Sequence, residues 1–438
     1  MPTVRAKRFI SVLGVAMLLA TLSRATCIAA PAADPVQGLA ESFVSLALQL
    51  GSLSGHEDEL DSYFGPESLR PAGNQKSVTV ADLLSRAHLL LGAVETRQRS
   101  IPSRRGARLL ARVRSFAALL EAIENPRRWR FDEEASRVYS MPVTSAESVS
   151  TQQALAALDA ALPGGGGRSE RLAEFRSRFV VAAERRRTVF ERALQECRKR
   201  TLAHWTLPEG ERLDVEWTSD VGAAWHRFRG NSRSTLQINP DAVALIGSMI
   251  DVACHEAYPG HHAQFLSEEE GAGAEGLPVE DRIVLLRSPL SVLLEGAANF
   301  GVELAFPPAE RVAFERDTLF PLAGLDPSQV DRYETVQRLV DQLSSAAGPI
   351  LAAYRDGRIS AATAASRLDE EAQIASPAAL LEFADRYGAY TLGYTTARDR
   401  VRACVKERSR HTGKDEWTVL REIVSAGDIS ALAAGGGW

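Results

Sequence analysis

The stretch HEAYPGHH, His255 to His262, gathers three of the chain's eight histidines into eight residues. A His-Glu pair followed four residues later by a second His lets one helix present two metal ligands and a proton-accepting carboxylate on a single face. The spacing here differs, because His261 follows His255 by six residues and His262 by seven. On an unbroken helix the seventh residue returns to within about 20° of the starting face, which favours His262. Pro259 argues against an unbroken helix. It cannot donate to the carbonyl of His255, its ring clashes there, and it biases Tyr258 away from helical angles, at a cost of about 3 kcal/mol. Pro259-Gly260 therefore reads as a bulge that extrudes two residues. Without them the sequence becomes HEAYH, with His261 in the ordinary second-ligand position, so His261 is preferred to His262.

A catalytic zinc site needs three protein ligands, an open position for water, and a carboxylate to take that water's proton. The third ligand is expected from a neighbouring helix. SPLSVLLEGAANFGVELAF (Ser288 to Phe306) opens as a helix should, with Ser288 as cap and Pro289 in the first turn. Glu295 within it is a carboxylate among apolar residues and needs a partner. Asn299 and Glu303, one and two turns further along the same face, are expected to brace the histidines.

These residues resemble the bacterial proteins known as domain of unknown function 885, within the gluzincin-type metallopeptidase superfamily. The resemblance rests on HEAYPGHH, the LQIN strand before it and the helix with Glu295-Gly296 after it, and covers roughly Leu213 to Arg402. It extends to dipeptidyl peptidase III, whose motif carries a similar insertion. The resemblance implies that His255, His261 and Glu295 hold Zn2+, that Glu256 is the general base, and that the reaction is hydrolysis of a peptide or small amide. The family's second helix reads EGWAxY, and this chain has Ala297 for the Trp and Phe300 for the Tyr. The family also carries a Tyr on a C-terminal helix. RYGAYTLGYTTARDR offers Tyr387, Tyr390 and Tyr394; Tyr394 is the first choice for stabilising the oxyanion and Tyr390 the second, one turn apart.

Upstream of the motif, LDVEWTSD, AAWHRFRG and STLQINPD are short runs of alternating polarity, the only stretches that read as strands. STLQIN is expected to offer a free edge to an extended peptide, and His226 and Arg229 to reach substrate or solvent. From Asp34 to about Trp205 apolar residues recur at three and four, predicting helix almost throughout, with LPGGGGRSE (Leu162 to Glu170) as a loop. The expected fold is mainly α, a large helical metallopeptidase-like fold with a small sheet beside the zinc-site helix. It divides into residues 33–205, an N-terminal helical region, and 206–438, the gluzincin-like catalytic region.

Residues 1–32 read as a signal peptide: Arg5, Lys7 and Arg8 precede the apolar run Phe9 to Leu22, and APA-AD gives a small-residue cleavage site after Ala32. That run is too short to span a bilayer stably. A periplasmic or secreted protein is expected. RATC before Cys27 fits a lipoprotein site poorly, because Arg24 and Thr26 replace small and apolar residues. Removing the leader takes away four positive charges and moves the formal net charge from −5 to −9. Arginine-rich pieces such as RRWR are interleaved with carboxylates, so no nucleic-acid partner is expected. Cys197, Cys254 and Cys404 lack CxxC spacing and leave room for one bridge at most, with Cys254 read as a small buried side chain. Exo- versus endo-cleavage and oligomeric state are not legible. The competing expectations are a non-catalytic periplasmic binding or scaffold protein, and a hydrolase of a non-peptide amide.

Overall fold

A computed structural model describes residues 36–71, 78–142, 151–273 and 276–433. The signal peptide expected at residues 1–32 lies outside the described residues. Val36–Trp438 form one compact unit, mainly helical, with a two-stranded and a three-stranded sheet. The N-terminal helices are α1 (Gln37–Leu50), α2 (Val80–Ser100), α3 (Arg104–Glu124), α4 (Phe131–Tyr139), α5 (Thr151–Ala161), α6 (Arg168–Ser177) and α7 (Ala183–Leu202). Each buries an apolar stripe; α3 covers Leu109, Val113, Phe116 and Leu120, which recur at three and four. The glycine-rich stretch connects α5 to α6 as a loop.

The sequence reading missed one element in this half. Leu60–Tyr63 is a strand, β1, paired antiparallel with β5 (Ile283–Leu285). Neither strand is long enough to show an alternating pattern, and their pairing joins segments far apart in the sequence. The Arg287 guanidinium, donating to the buried Glu59 carboxylate from just beyond β5, ties the two together.

The other three strands are those expected: β2 (Arg212–Trp217), β3 (Ala224–Gly230) and β4 (Arg233–Ile238). Their order is β2-β4-β3, parallel between β2 and β4 and antiparallel between β3 and β4. This corrects the expectation for STLQIN. β4 is the central strand, both its edges are taken, and it cannot receive an added peptide strand.

Beyond the sheet come α8 (Ile246–Glu256), α9 (His261–Gly271) and α10 (Pro289–Ala305). α8 buries Ile246, Met249, Ile250 and Ala253 on one face and carries His255 and Glu256 in its last turn. α10 is buried nearly all round, as its composition demands. Ser288 caps it by accepting from the Ser291 N–H at 3.1 Å, with Pro289 in the first turn as expected. Gly296 lets the Thr396–Thr412 helix approach closely, since a Cβ there would lie 2.7 Å from the backbone of Ala397. No helix among the described residues is long and apolar enough to cross a membrane.

One disulfide joins Cys197 of α7 to Cys254 of α8, with Cα atoms 5.4 Å apart, immediately before His255. Cys254 is fully buried and Cys404 is free.

Candidate metal centre

HEAYPGHH is a helix break rather than a bulge in one helix. α8 ends at Glu256, the Tyr258–Pro259 peptide is cis, and α9 begins at His261. The backbone across the break nevertheless counts as though two residues were missing. Gly260 N–H donates to the Cys254 carbonyl at 2.9 Å and Ala263 N–H to that of Ala257 at 3.0 Å, six residues back where a helix uses four. Gly260 is obligatory here, because a Cβ would sit 1.6 Å from the His255 carbonyl oxygen.

The consequence is a convergence of His255, His261 and Glu295. One ligand atom from each lies within 4.8 Å of the others. His255 Nε2 is 3.3 Å and His261 Nε2 3.6 Å from the two Glu295 oxygens, and the imidazole rings stand edge to face. Glu295 Oε2 is buried and makes no hydrogen bond. Two imidazoles and one carboxylate, one of whose buried oxygens lacks a hydrogen bond, form a donor set that fits a divalent cation such as zinc. The electrostatics point the same way. Burial would raise Glu295, but the two histidines outweigh it and hold the carboxyl below the usual range. Burial would lower His261, yet Glu295, with Glu256 and Asp61 behind it, lifts it to about 9. The carboxylates around His261 thus favour positive charge in the site.

His262 is placed elsewhere. It is fully buried, with Nδ1 2.7 Å from Ser234 Oγ and Nε2 2.9 Å from Glu211. Both its nitrogens are committed, which leaves none for a metal. The Glu211 carboxylate, unnoticed in the sequence, also accepts from Tyr258 and Arg198. Burial would raise its pKa, but hydrogen bonds from His262, Arg198 and Tyr258 prevail and bring it to about 2. This network fixes the break from behind.

Asn299 and Glu303 do not brace the histidines. Asn299 donates to the Glu295 carbonyl of its own helix. Glu303 is two turns, about 12 Å, along the axis and pairs with Arg402 instead. The bracing group is Tyr390, whose hydroxyl lies 3.3 Å from Glu295 Oε1 and 3.4 Å from Ser291 Oγ.

The triad forms part of the wall of a cavity of about 210 Å3 that is also lined by Glu256, Tyr390, Tyr394, Asp61, Trp225 and His226. Tyr390 and Tyr394 do share this cleft, with ring centroids 5.9 Å apart. They come from the 3-10 segment Gly388–Tyr394. Tyr390 is buried while Tyr394 is 43% exposed. Tyr387 points away and donates to Asp58. His226 stacks on Phe265 and faces the cavity, whereas Arg229 is exposed. Ala297 and Phe300 are buried in the core and do not line the cavity.

A larger cavity of about 400 Å3 lies among α3, α9 and the start of α10, with no histidine in its wall. Glu268 lines it, and burial followed by repulsion from Asp281 pushes its carboxyl up to about 8. A carboxyl raised above its unfolded value contributes stability below the unfolded pKa and loses that contribution as pH rises through the folded one. Glu268→Gln is therefore expected to gain thermal stability relative to the parent as pH increases from 5 to 9, read from melting curves across that range.

No protein family matches the chain, and no curated protein does. Two solved structures are similar over most of its length. One, described as a "putative lipoprotein" from Colwellia psychrerythraea, has a TM-score of 0.46 at 14% identity and covers 83% of this chain and 70% of its own. The other, a "putative lipoprotein of unknown function" from Shewanella oneidensis, has a TM-score of 0.47 at 12% identity, covering 80% and 72%.

Proposed function

We propose that the chain is an exported zinc-dependent hydrolase, a metallopeptidase acting on short peptides, with His255, His261 and Glu295 as the metal ligands. The observation that carries this reading is the convergence of those three groups, within 4.8 Å, in a cavity that also receives Glu256. Bound zinc would supply Lewis acidity, lowering the pKa of water and polarising the carbonyl to be attacked. Glu256, one residue after His255 and in the same wall, accepts the proton of the attacking water and passes it to the leaving amine. Tyr394, at the more open side, donates to the carbonyl oxygen as negative charge develops there. Tyr390, buried against Glu295, orients that carboxylate and stands second as an oxyanion donor. The resemblance to the domain of unknown function 885 family and the gluzincin-type superfamily belongs to this proposal, as does export, which rests on the leader-like residues 1–32.

The binding or scaffold alternative drew on Ala297 and Phe300. Both lie in the core rather than in the cavity wall, so they lend it no weight. Hydrolysis of a non-peptide amide would use the same residues.

Removing metal with a chelator is expected to abolish cleavage of a short-peptide library, and one equivalent of zinc to restore it. A zinc-loaded protein that cleaves no peptide would overturn the reading.

A further inference from the structure

The wall of the metal-centre cavity has a one-sided charge. Asp61, Glu256 and Glu295 are in it, and no lysine or arginine is. Three carboxylates against the two charges of a divalent cation leave the wall one charge negative. Apart from the metal, a substrate carboxylate would meet no lysine or arginine in this wall to offset its desolvation. A substrate ammonium would meet one available acid. Glu295 is committed to the two histidines and Tyr390, and Glu256 is assigned to proton transfer. Asp61, on β1, makes no ion pair among the described residues, and the groups that favour its ionised carboxylate are His261 first and, less strongly, the Trp225 indole N–H. The guanidinium of Arg227 sits on the Trp225 ring, 4.2 Å from its centroid; it lies outside the wall but is near enough to interact with the Asp61 carboxylate.

Two further observations concern what enters. His226 is 6% exposed, and its Nε2 has no hydrogen-bond partner although the residue lines the cavity. A buried unpaired imidazole nitrogen calls for a partner from a ligand, such as the backbone of a bound peptide. The cavity is also small: about 210 Å3 is below the roughly 300–1,000 Å3 usual for drug-sized ligands. Central β4 has no free edge; the strand beside the cavity is β3, an edge strand of the three-stranded sheet that carries Trp225 and His226. The space suits a chain terminus.

Building on the proposed peptidase reading, we propose that Asp61 binds the free α-ammonium of the substrate and makes this an aminopeptidase site, with the Trp225 indole orienting the carboxylate and His226 meeting the substrate backbone. Asp61 is a specificity-determining residue, and the amino terminus, not the carboxy terminus, is the end the site reads.

The test pairs hydrolysis with binding, using zinc-loaded parent and Asp61→Asn, with zinc content checked in both. Leucyl-glycyl-glycine and its N-acetyl form are compared as substrates, and leucinamide and N-acetyl-leucinamide as ligands by calorimetry. The parent is expected to favour the free amine in kcat/KM by about 10- to 100-fold, the range of a charge-assisted hydrogen bond. Asp61→Asn is expected to bring that ratio toward one, chiefly through KM, and to erase the binding preference for leucinamide. Equal use of free and acetylated ligands by the parent would overturn the proposal, and so would a preference that survives Asp61→Asn. If neither peptide is cleaved but leucinamide binds in an Asp61-dependent way, the peptidase reading fails while the ammonium site stands.

Discussion

Glu256→Gln is expected to lower kcat/KM for peptide hydrolysis by about 100- to 10,000-fold while leaving zinc binding unchanged. That range is what a positioned general base contributes. The substitution keeps the length of the side chain and one acceptor oxygen, replaces the other with an NH2 donor, and removes the charge and the ability to take a proton. Glu256 is at the C-terminal end of α8, beside His255, and lines the same cavity, so truncation effects on packing are avoided by the isosteric change. Measured turnover by the variant within a few-fold of the parent would remove Glu256 from the mechanism, and with it the reason for the His-Glu adjacency.

The second large effect is on metal affinity. His255→Ala, His261→Ala and Glu295→Ala are each expected to weaken zinc binding by at least about 100-fold, because each removes one of three protein donors that the fold brings within 4.8 Å. His262→Ala is the discriminating control. It opens a buried network by leaving Ser234 and Glu211 without their imidazole, which costs stability, about 1 to 3 kcal/mol for groups left unsatisfied. It leaves the donor set intact. Zinc stoichiometry by mass spectrometry and melting temperature should therefore separate: metal lost and fold kept for His261→Ala, metal kept and fold weakened for His262→Ala. The reverse pattern would exchange the two residues' roles.

How much of this was legible in the sequence follows the range of the interactions. The helices, the three sheet strands and the cap of α10 all depend on neighbours within a few residues, and they are where the periodicity puts them. The choice of His261 over His262 also came from local physics, since proline forbids the unbroken helix. What the reading missed was the form of the interruption, a break between two helices, although the two skipped residues show in its backbone hydrogen bonds. The position of β4 in the sheet depends on which strands flank it, a property no single strand carries. β1 and β5 are too short for a pattern, and Asp61 went unseen with β1. Glu211 reads as one more acid in a polar turn; only the fold brings it under His262 and Tyr258. Asn299 and Glu303 were placed on the right helix but assigned to the wrong partners, because sharing a face does not bring residues to the same depth along it.

The most direct test of the metal centre is anomalous diffraction at the zinc absorption edge from crystals of the zinc-loaded protein. The account predicts one strong peak per chain, at bonding distance from His255 Nε2, His261 Nε2 and a Glu295 oxygen, about 2.0–2.2 Å from each. A peak on other residues, or none between these three under saturating zinc, would contradict it.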